Sequence, residues 1–307
     1  MQTALLFPGQ GAQRPGFLKH LPEHPAVHAT LAEAARVLER DVRALDEASA
    51  LTSTVAVQLA TVISGVAAAR ALEAEGVVAD AVAGLSVGAF AAAVSCGALS
   101  FADTLRLVSL RGESMARAAP HGHGMTAILG MGERDARALV ARVSAQLPLD
   151  LASINGPAEV VVSGTDAALT AAAQAAQAAG ASAQRLQVSI PSHSAIMQPV
   201  SQALREAIAA VKLAPPRVPY VSNHRARVAV SAAEVAEDLV LNVSRTVRWH
   251  DSMTLLHELG CRLYVEMPPG HVLTTLVAAS LPDVRVVALD GEPLAMALTL
   301  ARRAPSR

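Results

Sequence analysis

The stretch Ala79-Asp80-Ala81-Val82-Ala83-Gly84-Leu85-Ser86-Val87-Gly88-Ala89-Phe90-Ala91-Ala92-Ala93-Val94 decides how this chain is read. Residues 79–83 suit a short buried strand, and residues 89–94 suit a helix. A serine on that junction sits on a sharp elbow, with its hydroxyl pointing out of the turn. The helix N-terminus lies beneath it, and backbone N–H groups there can receive an oxyanion. Flanking glycines fit because a tight turn leaves no room for Cβ atoms. This is the layout of a nucleophile for acyl transfer. A Gly-x-Ser-x-Gly run arises by chance in a chain of this length about one time in ten. The plainer alternative is a corner whose serine caps the helix. The strand-then-helix context favours the elbow.

Composition narrows the field. The chain has 307 residues, enough for one large domain or a large domain with an insertion. Just over half the residues are apolar, yet aromatics are scarce. The core must be built from Ala, Val and Leu, with helices packed closely. A net charge of −1 gives no reason to expect nucleic acid or an anionic membrane surface. Cys96 and Cys261 stand alone in apolar surroundings and read as buried thiols in a reducing compartment. No metal-ligand spacing is present, and His121-Gly122-His123 reads as an incidental loop pair. The N-terminus lacks a basic start and breaks at Pro8-Gly9, unlike a signal peptide. No apolar run reaches membrane-spanning length without a charge or a breaker. The expected location is the cytoplasm.

Working outward from the elbow, Thr3–Phe7 reads as a first buried strand ending in the loop Pro8-Gly9-Gln10-Gly11. Helices are expected at 25–40, 54–75 and 101–118, the last capped by Ser100. After residues 120–124 the texture changes. Strands at 125–131, 149–154, 159–163 and 182–189 alternate with helices at 133–146 and 166–179. That β-α-β-β-α-β order is ferredoxin-like. The α/β texture then resumes, with helices at 193–211, 231–241, 249–258 and 271–279 and strands at 218–222, 262–266 and 284–289. The expected fold is α/β: a large α/β-hydrolase-like domain (1–123 and 191–307) with an inserted ferredoxin-like α+β subdomain (124–190).

A serine nucleophile needs a base. Among ten histidines, His193 is distinguished by its place in Val188-Ser189-Ile190-Pro191-Ser192-His193-Ser194, where the chain re-enters the large domain and can face an inter-domain cleft. The alternative is a helix-start residue near solvent. Arg111 lies on an otherwise apolar helix face and needs a partner if buried. Either a nearby acid such as Glu113 pairs with it, or it clamps a substrate carboxylate.

Taken together, Phe7-Pro8-Gly9-Gln10-Gly11-Ala12-Gln13, Gly84-x-Ser86-x-Gly88, Arg111-Gly112 with Met115, Asn155-Gly156-Pro157 and Pro191-Ser192-His193-Ser194 resemble the malonyl-CoA:acyl carrier protein transacylase family. Arg248-Trp249 and Glu266-Met267-Pro268-Pro269-Gly270 fit its C-terminal part, so the resemblance spans nearly the whole chain. It implies a ping-pong acyltransferase without a bound cofactor. Malonyl would pass from malonyl-CoA to Ser86 as an ester, then to the prosthetic-group thiol of an acyl carrier protein. His193 would act as base, oriented by the backbone carbonyl near Asn242. The backbone N–H groups of Gln10 and Val87 would form the oxyanion hole, and Arg111 would hold the malonyl carboxylate. Gln58, Met115 and Asn155 would line the acyl pocket.

The family elbow is usually Gly-His-Ser-x-Gly-Glu, whereas Leu85 and Ala89 stand here. Ser86-Val87-Gly88-Ala89-Phe90 and Ser53-Thr54 look more like the epsilon subunit of malonate decarboxylase. That resemblance implies a phosphoribosyl-dephospho-CoA thiol on that system's carrier as acceptor. The alternative is the phosphopantetheine thiol of a fatty-acid or polyketide carrier. Two readings of other classes are a serine esterase or thioesterase, for which Asp166 is the candidate third member, and a catalytically inactive carrier-binding scaffold.

Overall fold

The computed structural model describes residues 2–119 and 121–302, so Pro120 of the expected break lies outside the described residues. The chain opens with β1 (Gln2–Phe7), α1 (Pro25–Leu38), α2 (Thr54–Ala74), β2 (Ala81–Gly84), α3 (Gly88–Ser95) and α4 (Phe101–Ala118). It continues through β3 (His123–Leu129), α5 (Glu133–Ser144), β4 (Leu149–Gly156), β5 (Glu159–Thr165), α6 (Asp166–Ala178) and β6 (Ser182–Arg185). It closes with α7 (Gln198–Ile208), β7 (Tyr220–Val221), β8 (Val228–Ala229), α8 (Ala232–Leu241), α9 (Trp249–Glu258), β9 (Cys261–Glu266), α10 (Val272–Ser280), β10 (Arg285–Ala288) and α11 (Leu294–Arg302).

The first sheet has six strands in the order β10-β9-β1-β2-β7-β8. All neighbours are parallel except the edge pair of β7 and β8. A parallel sheet is buried on both faces, and β1 shows how. Leu5 and Phe7 enter a core shared with Leu59 and Ile63 of α2. Ala4 and Leu6 enter a second core with Trp249 and Met253 of α9 and Leu273 of α10. The period of two places successive residues on opposite faces. Helix α2 is apolar all round and is long enough by length and composition to cross a membrane, yet 89% of its most apolar window is buried inside the molecule. It is the central core helix, as a helix without a polar face must be in a folded domain. Ser100 caps α4 by accepting from the Asp103 N–H, as expected from the sequence.

The second sheet has the antiparallel order β4-β5-β3-β6, with α5 and α6 against one face. This is the ferredoxin-like arrangement. Ile128, Val160 and Val162 pack under the helices. Met125, Ala127, Ala152 and Val161 face the other way. Edge strand β4 is extended by a bridge to the large unit: Ile154 N–H donates to the Val247 carbonyl and Val247 N–H to the Ala152 carbonyl, each at 2.9 Å.

Several elements are shorter than the sequence implied, among them β7, which spans only Tyr220–Val221 where 218–222 was expected. Strand β6 ends at Arg185, because residues 186–188 leave the sheet to line a cavity. The helix expected from 193 begins at Gln198, after a single turn at Ala195–Met197. His193 has φ 62, which no right-handed helix accommodates. Strand β8 and helix α11 were not legible in the pattern.

Candidate active site

The elbow lies where β2 enters α3. Ser86 has φ 54, in the left-handed region, as a sharp strand-to-helix turn demands. The two glycines are sterically obligatory. A Cβ on Gly84 would lie 2.2 Å from the Gly88 backbone, and one on Gly88 would lie 2.1 Å from the Phe7 carbonyl oxygen. The loop after β1, the elbow after β2 and the start of α10 after β9 meet at the carboxyl ends of neighbouring strands. Ligands bind at that end of an open α/β sheet, where the strand order reverses.

A cavity of about 440 Å³ opens there, between the large unit and the free face of the small sheet. Its floor includes Gln10, Leu85, Ser86 and His193, and its roof includes Met125, Ala127, Asn155 and Val161. His193 Nε2 lies 2.9 Å from Ser86 Oγ. On its other side, Nδ1 meets the backbone carbonyl of Asn242. The His193 backbone N–H is held by the Val243 carbonyl at 2.8 Å, which fixes the ring's approach. A carbonyl acceptor on Nδ1 selects the tautomer with a lone pair on Nε2, facing the serine. Burial, reinforced by the charge of Arg111, lowers the His193 pKa to about 4, against the pull of the Asn242 and Arg245 backbone. The imidazole is therefore neutral at physiological pH.

Arg111 is fully buried and donates from Nη2 to Ser86 Oγ at 3.1 Å. Its Nη1 donates to Gln58 Oε1, and its Nε meets no acceptor among the described residues. Glu113 does not pair with it: that side chain is 55% exposed and faces Arg117. No carboxylate reaches Arg111 among the described residues. Burial lowers its pKa to about 9, which leaves it cationic at neutral pH. A dry cation with only neutral partners is an expensive arrangement, and an incoming anion relieves it.

The remaining expected residues divide. Gln10 and Asn155 line the cavity. Asn155 is engaged there by Ser153 and Glu159. Gln58 and Met115 are buried behind the wall, in contact with each other at 3.4 Å, and Gln58 reaches the site through Arg111. Asn242 contributes more than its carbonyl, because its Nδ2 donates to the Ser86 carbonyl at 3.3 Å. Among the described residues no protein acceptor meets the backbone N–H of Gln10 or Val87. Asp166 stands at the exposed start of α6 and pairs with Arg185, away from His193. Cys96 and Cys261 are both buried, and burial pushes their thiols up to about 11 and about 12.

The model of the acyl transferase domain family matches residues 4–303. The chain belongs to that family. It is 35% identical over 305 residues to the malonyl CoA-acyl carrier protein transacylase of Bacillus subtilis, covering 97% of this chain and 96% of that protein. The solved malonyl CoA-acyl carrier protein transacylase of Coxiella burnetii superimposes with a TM-score of 0.94 at 31% identity, covering 99% of this chain and 98% of that one. A malonyl-transacylase solved in complex with a type II polyketide acyl carrier protein gives a TM-score of 0.93 at 32% identity, covering 98% and 100%. These relatives are named as malonyl CoA-acyl carrier protein transacylases, one of them with a polyketide carrier. They do not show the malonate decarboxylase system expected from the elbow.

Within this acyl transferase framework, the sequence reading assigns Thr54 no role beyond a branch resemblance, and Asn223 and Asp238 none at all. Thr54 Oγ1 donates to Gln10 Oε1 at 3.1 Å and accepts from Gln58 Nε2 at 2.9 Å, linking the Arg111 cluster to the loop after β1. Asn223 follows β7, next to β2, and its Oδ1 accepts the Ser86 backbone N–H at 2.9 Å. Its place at a strand's carboxyl end was the one available signal.

Proposed function

We propose that this chain is a malonyl-CoA:acyl carrier protein transacylase of the fatty-acid or polyketide type, working in the cytoplasm by ping-pong transfer through Ser86. The observation that carries the reading is the convergence, on one serine hydroxyl, of a neutral, backbone-oriented imidazole and a buried guanidinium that meets no carboxylate among the described residues. His193 Nε2 takes the proton as Ser86 Oγ attacks the thioester carbonyl. The negative charge that develops on the carbonyl oxygen falls to the N–H groups of Gln10 and Val87. Collapse of the tetrahedral species breaks the C–S bond, and His193 returns its proton to the departing CoA thiolate. The carrier's phosphopantetheine thiol then repeats the sequence in reverse: His193 accepts the thiol proton, sulfur attacks the ester, and Ser86 regains its hydroxyl.

Arg111 sets the cargo. Two parallel hydrogen bonds to the free malonyl carboxylate replace its contact with Ser86 and supply the missing counter-charge. An acetyl group offers no such partner and leaves the guanidinium buried and unpaired. Gln58 holds Arg111 from behind with Met115 against it, and Asn155 lines the roof. The backbone of Asn242 takes the place of a third acid. The small unit, 124–190, closes over a discontinuous large unit, 1–123 and 191–307. Its apolar face shields the ester from water, so that transfer outruns hydrolysis.

A second reading, transfer to the phosphoribosyl-dephospho-CoA carrier of malonate decarboxylase, is favoured by Leu85 on the cavity floor and buried Ala89. The names of the relatives support the first. The deciding experiment mixes the protein with radiolabelled malonyl-CoA, then with each type of holo-carrier. Label on the protein that moves to a phosphopantetheine carrier is the expected result. Label that moves only to the other carrier selects the second reading. Label lost to water faster than it reaches either thiol makes the protein a thioesterase. No label on the protein leaves the inactive scaffold.

A further inference from the structure

Beneath the elbow lies a buried polar cluster with no part in the scheme above. Asp238 of α8 is fully buried, yet it is ringed by donors. Its Oδ2 accepts from the Tyr220 hydroxyl at 2.7 Å and from Asn223 Nδ2 at 3.3 Å. Its Oδ1 accepts from the Asn223 backbone N–H at 2.8 Å, the His224 backbone N–H at 3.4 Å and His224 Nδ1 at 3.0 Å. A carboxylate oxygen only accepts, so it dictates which end of the Asn223 amide faces it. The amide nitrogen must turn toward Asp238, and Oδ1 is left aimed at the Ser86 backbone N–H.

Ser86 needs that partner. A residue other than glycine held at positive φ persists only where its surroundings over-determine it. Asn223 grips the Ser86 peptide from the N–H side, and Asn242 Nδ2 grips it from the carbonyl side. The nucleophile thus hangs between two asparagine side chains. Among the described residues, only the Asn223 side is locked by a buried charge.

Resting on the reading of Ser86 as the acylated residue, we infer that Asn223 and Asp238 are positioning residues for the nucleophile. Asp238 fixes the Asn223 amide, and Asn223 fixes the Ser86 backbone so that Oγ points at the His193 ring. Neither residue touches the substrate. Their removal should therefore slow acylation without weakening the hold on malonyl-CoA.

The test is the single-turnover rate of Ser86 acylation by labelled malonyl-CoA across a concentration series, scaled to folded protein by circular dichroism. In Asn223→Ala the saturating rate should fall about tenfold to a hundredfold, with the half-saturating concentration moving less than about twofold. Asp238→Asn lets the amide turn and should give a smaller loss of the same kind. The double variant should be no slower than Asn223→Ala, because Asp238 acts through Asn223. Additive losses, unchanged rates, or a loss carried by half-saturation would overturn the assignment. Where Asn223→Ala does not fold, Asp238→Asn decides alone by the same split between rate and half-saturation. An unaltered protein that never forms the acyl-serine refutes the functional reading instead. One that forms it while both variants keep its rate refutes only this inference.

Discussion

The floor of the cavity gathers groups held in costly states. Ser86 and His193 sit at φ 54 and 62, and Arg111 is a buried cation without an anion among the described residues. The roof is regular antiparallel sheet, with Met125, Ala127 and Val161 alternating against residues that pack beneath α5 and α6. Positive φ alone does not mark the floor, since Glu39, Ala226 and Asp283 adopt it away from the cavity. What sets the floor apart is that backbone strain falls beside a buried cation without an anion among the described residues, which an incoming anion can relieve. The roof needs only shape and dryness, and ordinary sheet physics provides both.

This contrast can be broken from the floor first. Ser86→Ala should abolish covalent loading altogether, read as radiolabel on the isolated protein. Residual acyl-enzyme would mean that another nucleophile carries the cargo. Arg111→Ala should erase most of the preference for malonyl-CoA over acetyl-CoA, by about tenfold to a hundredfold for each charged hydrogen bond lost. A competition assay with both thioesters measures it, and an intact preference would remove the arginine from cargo selection.

The pH profile sharpens the same point. Burial and Arg111 hold the His193 pKa near 4, below the ordinary value, so the base stays neutral as acid is added. Loading should stay flat from neutrality through pH 6 and decline only toward pH 4. A decline centred near 6.5 would show a solvent-exposed imidazole. The linked effect on stability has a definite sign. The unfolded chain binds the proton more readily, so the contribution of this histidine is complete above about pH 6.5 and is lost as pH falls toward 4. It amounts to on the order of 3 kcal/mol. Chemical denaturation at pH 7 and pH 4.5, compared between the protein and His193→Asn, isolates it.

The roof should respond least. Val161→Ala removes two methyl groups from a well-packed sheet and should cost about 2 kcal/mol of stability. Its transfer rate should stay within about threefold, with a small rise in hydrolysis of the acyl-enzyme as water gains access. A rate loss as deep as that of Arg111→Ala would mean that the roof takes part in the chemistry.

Much of this architecture was legible in the residues. Periodicity, capping at Ser100 and the glycines of the elbow gave the order of elements, because each is a local constraint. Gly84 is required by backbone contacts within the turn itself, whereas Gly88 is required by the Phe7 carbonyl at the end of neighbouring β1, a contact the turn alone does not dictate. The motifs pointed to Ser86, His193 and Arg111, and the structure draws the last two within hydrogen-bonding distance of the Ser86 hydroxyl. Strand β8 and helix α11 escaped because a two-residue strand and a short amphipathic tail carry too little periodic signal.

Sequence alone determined the kinds of groups available and the local turns that present them. Tertiary structure decided what each group meets. Glu113 lies two residues from Arg111 yet turns to solvent, whereas Ser86, 25 positions away, lies against the guanidinium. Asn223 and Asp238 look ordinary in the chain and become a clamp only when β7 settles beside β2. Burial has the same origin. It drives the imidazole neutral and leaves the guanidinium without a counter-charge, because the dielectric around a side chain depends on everything packed around it and not on its neighbours in sequence.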